Sequence, residues 1–308
     1  MTETQTATAT ADPSVVAAKT ICLALKRGRF GNSKRASMAA VTVEADKKLL
    51  GLSKTLLSSP ELDVVWRIDN EVQSYLRGIA FKSLFKGGVY LIPIAMVTSV
   101  NDALTAFAVR RAAAVDAAVK TYDQRVEQTA ARLDAVYSPS DYPSASAFRA
   151  TFTFEWQYIT FDTPTRLKQI SAELFAVEQA KAAAKLTVVA DECRDALRAG
   201  FASMIARLVD RLTPDADGKK KKFTATTVTN ITEFLGSFAM RNVTDDAELG
   251  SLVEKARALL TGVDAPTLRE SEDLRAKLSA DFATLAGSLG MLPVSRSDRA
   301  LAFGDGDD

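Results

Sequence analysis

The sequence predicts a mainly α protein: a long helical hairpin or bundle with a small two-stranded β element and a helical carboxy-terminal part. Apolar residues recur at helical spacing through three long segments that start near residues 60, 99 and 163. Period-two alternation marks two short stretches, residues 41–45 and 148–161. The longest apolar run, residues 89–97, is far short of the ~20 residues of a spanning helix, and it contains Pro93.

Taken in order, residues 1–14 are rich in Thr and Ala, have little to bury, and read as a disordered tail. Residues 15–25 predict a short helix. KRGRFGNSKR follows as a basic loop, and then AAVTVEAD, where Val41 and Val43 alternate with Thr42 and Glu44 in a strand pattern. Ser59 can cap the next helix, Pro60 suits its first turn, and Glu61 complements its dipole. Leu62, Val65, Asp69, Val72, Leu76 and Ile79 trace one face of it, apolar except for Asp69. Gly87 and Gly88 break the chain ahead of the apolar run, which predicts a buried crossover between two antiparallel helices.

The second long helix is expected over residues 99–137. Leu104, Val115, Val126 and Tyr137 fall eleven residues apart, a period that keeps a helix nearly straight. In FRATFTFEWQYITF the aromatic residues Phe152, Phe154, Trp156 and Tyr158 share one parity, which predicts a strand paired with residues 41–45. Thr163 and Pro164 open a third helix running to Leu212, with a break near Lys185. Its stripe includes Leu167, Ile170, Leu174 and Val177, then Leu186 through Leu208. Three shorter helices are expected near residues 226–240, 245–260 and 266–289. The implied domains are a long-helix domain over 15–213, a loop at 214–222, a helical part over 223–292 and a disordered acidic tail over 293–308.

Composition narrows the chemistry. The 308-residue chain carries a net charge of +1, so no global field draws it to nucleic acid or membrane. It has no histidine, which excludes a Ser-His-Asp triad, a Cys-His pair and any histidine-ligated metal. Cys22 and Cys193 lack metal-site spacing and have no base to activate them. The N-terminus has neither a basic region nor an apolar core of the signal-peptide kind. The expectation is a cytoplasmic protein without enzymatic activity, catalytic residues, cofactor or metal.

Several short motifs invite a functional reading. Ser83 and Lys86 have Ser-x-x-Lys spacing, but no Lys-Thr-Gly follows. TPDADG starts like a calcium loop with the wrong first and last ligands, and reads as a turn. The aromatic strand has the composition of a base-stacking platform, yet core packing is the simpler expectation. Lys219–Lys222 reads as a solvated loop. Lys26, Arg27, Arg29, Lys34 and Arg35 form the candidate partner site, five cations within ten residues that contain no acid. Such a cluster suits docking to an acidic protein surface, or alternatively phosphate contacts in a nucleic-acid-binding protein of phage or mobile-element type.

LLGLSKTLLSSPEL, SYLRGIAFKSLFKGGVYLIP and YPSASAFRATFTFEWQYITF occur here in order, with a long helix expected between the last two. Over residues 41–161 the chain resembles a family of uncharacterised, mainly helical bacterial and phage proteins. Its members are encoded beside MoxR-type AAA+ ATPases and von Willebrand factor A domain proteins. The resemblance implies an accessory or recruiting partner of such an ATPase assembly, and it carries over no active-site residues.

Overall fold

The structure is a computed structural model that describes residues 11–37, 50–82, 87–160, 165–215, 221, 225–263, 267–268 and 271–292. It is mainly helical, as the periodicity predicts. The expected strand at 41–45 lies outside the described residues.

Helix α1 (Pro13–Lys19) is capped by Asp12, whose carboxylate accepts from the Ser14 amide at 2.8 Å. The short helix expected over 15–25 therefore ends early, and Thr20–Arg27 is a strand, β1. A short apolar run such as ICLAL satisfies either period, and a place in a sheet decides it. Strands β2 (Ser33–Ala36) and β3 (Leu52–Thr55) form the small two-stranded antiparallel sheet, with Lys34 opposite Lys54. The predicted β element thus exists, built from other segments than those expected.

Helix α2 (Pro60–Ile79) starts where Ser59 and Pro60 place it. Ser59 Oγ accepts from the Leu62 amide at 3.4 Å, and Leu62, Val65, Asp69, Val72 and Leu76 are all buried. Strands β4 (Phe81–Lys82) and β5 (Val89–Pro93) pair antiparallel. They turn back through Gly88, whose φ of 84° is left-handed and suits glycine. The apolar run is therefore a strand followed by a single 3-10 turn, not a bare crossover. Leu91, Ile92 and Met96 are buried, whereas Ile94 is 51% exposed. Among the described residues no helix is long and apolar enough to cross a membrane.

Helix α3 (Val97–Leu133) ends four residues short of the expectation, in a 3-10 turn at Asp134–Val136. Leu104 and Val115 of the eleven-residue stripe are buried on it. The aromatic segment begins as a helix, α4 (Ala145–Ala150), and only Phe154–Ile159 is strand, β6. A four-stranded sheet with the order β4-β5-β1-β6 results, so β structure is more extensive than predicted.

Helix α5 (Thr165–Ile170) and helix α6 (Ala172–Leu212) replace the single third helix. The break falls at Ser171, whose hydroxyl accepts from the Leu174 amide at 3.2 Å, and α6 runs unbroken through Lys185. Helices α7 (Ala225–Arg241), α8 (Ala247–Leu260) and α9 (Glu272–Gly290) complete the order. Ser271 caps α9; residues 267–268 ahead of it are also helical, and the expected start at residue 266 lies outside the described residues.

Packing divides the chain into two units that the linear sequence does not separate. The first contains Met1–Leu23, Ser74–Val97 and Tyr158–Asp308; the second contains Ala24–Gln73 and Thr98–Gln157. The expected boundary at 214–222 is not a packing boundary, because α6 shares one core with α7, α8 and α9.

In the first unit, Leu197, Phe201, Ile205 and Leu208 of α6 pack with Phe234, Val253 and Phe282. Val16, Cys22, Phe81 and Leu91 join the same core. Arg198 clamps the α8 cap Asp246 at 2.6 and 3.0 Å and reaches Glu248 at 3.0 Å. Burial pushes the Asp246 carboxyl up, but the bonds from Arg198 and the Leu249 amide outweigh it and hold it below its ordinary range. The core occupies only the second part of α6. From residue 172 to 188 no side chain is buried.

In the second unit, Val65 and Ile68 of α2 meet Ala114 and Val115 of α3. Beside them Phe148 stacks on Tyr122 with ring centroids 4.2 Å apart and meets Phe30 edge-on at 5.0 Å.

Candidate partner-binding surface

The five basic residues of the candidate site lie at the end of β1, in the turn after it and on β2, all within the second unit. Two of them are committed internally. Asp69, the lone carboxylate on the apolar face of α2, is fully buried and collects three arginines. Arg29 Nε donates to its Oδ2 at 2.7 Å, Arg111 Nε to its Oδ1 at 2.8 Å, and Arg27 Nη1 to its backbone carbonyl at 2.6 Å. Arg111 is itself buried, and its remaining donors reach the Gly28 carbonyl at 2.6 Å and the Thr153 carbonyl at 3.3 Å. Its guanidinium also lies over the Phe154 ring, 5.6 Å from the centroid. Every strong acceptor in this pocket faces an arginine, as burial of a carboxylate requires.

Gly28 has a structural role in the same place. Its amide donates to the Thr153 carbonyl at 2.8 Å. A Cβ there would stand 2.6 Å from Thr153 Oγ1 and closer still to the Thr151 carbonyl. The glycine is needed for strand approach rather than for following a phosphate backbone. Gly28→Ala is expected to destabilise the protein by about 1–3 kcal/mol through overpacking. Thermal melting of that variant checks it, and a wild-type melting temperature would show that the neighbours yield freely.

The β2–β3 pair brings Lys34 opposite Lys54, an arrangement of like charges that would repel if left alone. Asp141 resolves it by accepting from Lys34 at 3.0 Å and standing 2.7 Å from Lys54. Hydrogen bonds from Lys54 and Lys34 hold the Asp141 carboxyl below its ordinary range. Lys54 is buried and donates in addition to the Val136 carbonyl at 2.5 Å. Lys26 makes one loose pair with Glu155 at 3.8 Å and stays largely exposed. Arg35 follows Lys34 along the strand, so it points to the opposite face, and it is exposed.

Asp69, Asp141 and Glu155 thus neutralise only part of the charge on Lys26, Arg27, Arg29, Lys34, Lys54 and Arg111. Among the described residues a positive excess remains at this edge, carried to solvent by Lys26, Arg35 and the exposed parts of Arg29 and Lys34. The sequence offered one signal for the buried half of this network, the carboxylate interrupting an apolar stripe. It offered none for Arg111, Asp141 or Lys54, which lie far away in the chain.

The other candidates resolve differently. Ser83 and Lys86 lie outside the described residues, as does most of TPDADG. Of the lysine run only Lys221 is described, 2.5 Å from Asp210. The aromatic strand residues Phe154, Trp156 and Tyr158 are half-buried, and Trp156 Nε1 donates to Asn101 Oδ1 at 3.1 Å. Both cysteines are buried; burial pushes the Cys22 thiol up to about 12, and burial with the nearby Glu192 charge raises Cys193 well above its usual range. Neither thiol ionises at neutral pH. Among the described residues no group of acidic or cysteine side chains could hold a metal. Compared with protein-family models, with curated proteins and with solved structures, the chain finds no match.

Proposed function

We propose that the protein is a non-enzymatic interaction protein, an accessory or recruiting partner of a MoxR-type AAA+ ATPase assembly that includes a von Willebrand factor A domain protein. The partner class comes from the family resemblance over residues 41–161. One observation supports the mode of contact: a basic edge whose cations are held from beneath by Asp69 and Asp141. Side chains already fixed by ion pairs lose little freedom on docking, so such an edge is prepared to meet an acidic protein surface.

A modest positive excess suits docking better than nucleic-acid binding. Duplex or single-stranded nucleic acid recruits many phosphate contacts at once. Here Arg27 and Arg29 already serve Asp69, and the described member of the distant lysine run serves Asp210.

The test reverses Lys26, whose pair with Glu155 is loose, and Arg35, as Lys26→Glu with Arg35→Glu. Recovery of the ATPase and its von Willebrand factor A partner is expected to weaken about thirtyfold, roughly 1 kcal/mol for each of the two rim charges and mainly in association rate. The fold should stay intact. Tight, steeply salt-dependent nucleic-acid binding that the variant loses, with partner recovery unchanged, would overturn the proposal.

A further inference from the structure

The β2–β3 sheet has only two strands, so each keeps an open edge. Its hydrogen-bonding phase fixes what β2 shows to solvent. The Leu56 amide donates to the Asn32 carbonyl at 3.0 Å, which makes Asn32 and Leu56 a bonded pair. Continuing that register, Ser33 stands opposite Thr55, Lys34 opposite Lys54, Arg35 opposite Ser53 and Ala36 opposite Leu52. Bonded and non-bonded pairs alternate along an antiparallel ladder. Lys34 and Ala36 therefore turn their backbone groups toward β3, whereas Ser33 and Arg35 turn theirs outward. Among the described residues those outward amides and carbonyls have no backbone partner. Ser33, Lys34 and Arg35 are all exposed.

The side chains decide what can fill this edge. Successive residues alternate faces, and Asp141 holds the face of Lys34 and Lys54. The opposite face carries Arg35 among the hydroxyl side chains of Ser33, Ser53 and Thr55. A second copy of this chain fits badly. The antiparallel registers that overlap most of β2 and join its outward residues set Lys34 opposite Lys34 or Arg35 opposite Arg35. Like charges directly opposite repel. The outward residues of β3, Ser53 and Thr55, carry no charge to select a partner. An acidic strand on β2 instead meets Arg35 directly, with Lys34 beside it.

We propose, resting on the docking role of the basic edge, that an acidic extended segment of the partner adds to β2 as a third, antiparallel strand. It bonds to the backbone of Ser33 and Arg35 and sets a carboxylate opposite the Arg35 guanidinium. Backbone bonds give such an addition its affinity, and the side chains give it selectivity. Antiparallel addition is the stronger pairing per residue.

The probe is a short peptide of alternating glutamate and valine, titrated against the full chain at low salt. In an antiparallel bonded pair the two residues share a face and exchange both backbone bonds, so the glutamate opposite Arg35 uses its own amide. The peptide is expected to bind and to slow hydrogen exchange at the Arg35 amide. N-methylation at its glutamates should abolish binding, whereas N-methylation at its valines should leave it, because those amides face away from β2. Ser33→Pro removes one outward amide without touching the ladder or the charge, and should weaken binding about tenfold, the loss of one backbone hydrogen bond. If that variant fails to fold, the two methylated peptides on wild-type protein decide. No binding at millimolar peptide overturns the proposal, as does equal binding of a lysine–valine peptide. If binding needs Arg35 but the two methylated peptides behave alike, the basic edge docks by charge alone and strand addition is wrong.

Discussion

Replacing Asp69 with alanine is expected to destabilise the second unit by about 3–5 kcal/mol, the cost of breaking a buried ion pair from one side. Arg111 is 2% exposed and would be left charged, with its Nε facing no acceptor. Arg29 would lose its partner as well, whereas Arg27 would keep its bond to the backbone carbonyl of residue 69. Asp69→Asn keeps the size of the side chain and one acceptor oxygen, so its cost should fall between alanine and wild type. The molecule offers a convenient reporter, because both tryptophans, Trp66 and Trp156, belong to the second unit. Tryptophan fluorescence during chemical denaturation therefore follows that unit. A midpoint unchanged in Asp69→Ala would mean that the arginines are indifferent to Asp69 and that the basic edge is not held from beneath.

Within the first unit, Ile92→Asp should cost about 4 kcal/mol or more. Ile92 is fully buried on β5, which lies between β4 and β1 in the sheet order. An aspartate there has to remain charged in an apolar setting or take up a proton well above its usual range. Both outcomes favour the unfolded chain. The same run contains its own control. Ile94 is 51% exposed, so Ile94→Asp should change stability by no more than about 0.5 kcal/mol. Thermal unfolding followed by circular dichroism separates the two, and equal effects at both sites would show that the strand is not an interior one.

What the sequence revealed depended on the range over which its signals act. Helix starts were legible because caps are local: Ser59 with Pro60 fixes α2 without reference to anything distant. The starts of α6 and α9 carry the same signal at Ser171 and Ser271, yet apolar periodicity ran on either side and concealed the interruption. Strand β1 stayed hidden because Ile21, Leu23 and Leu25 alternate inside a segment that also fits a helical face. Whether such a run becomes strand depends on neighbours that come from other parts of the chain. The candidate site divides the same way. Its basic residues were plain from composition, whereas the acceptors that occupy Arg29 and Lys34 lie 40 and 107 residues away. Only Asp69 left a trace, as a charge in an apolar stripe.

The alternation of the chain between units sets an order of events during synthesis. Every residue of the second unit has been made once Gln157 is added, so its core of α2, α3 and α4 is complete at that point. Val16, Cys22, Phe81 and Leu91 belong instead to a core supplied mostly by α6 to α9, which have not yet been translated. At translation speeds of about 5–20 residues per second, the remaining half of the chain takes roughly 8–30 s. For that interval the earliest apolar segments are out on the nascent chain without the helices they will pack against. A chaperone that shields them would have to engage the beginning of this protein while its end is still being read.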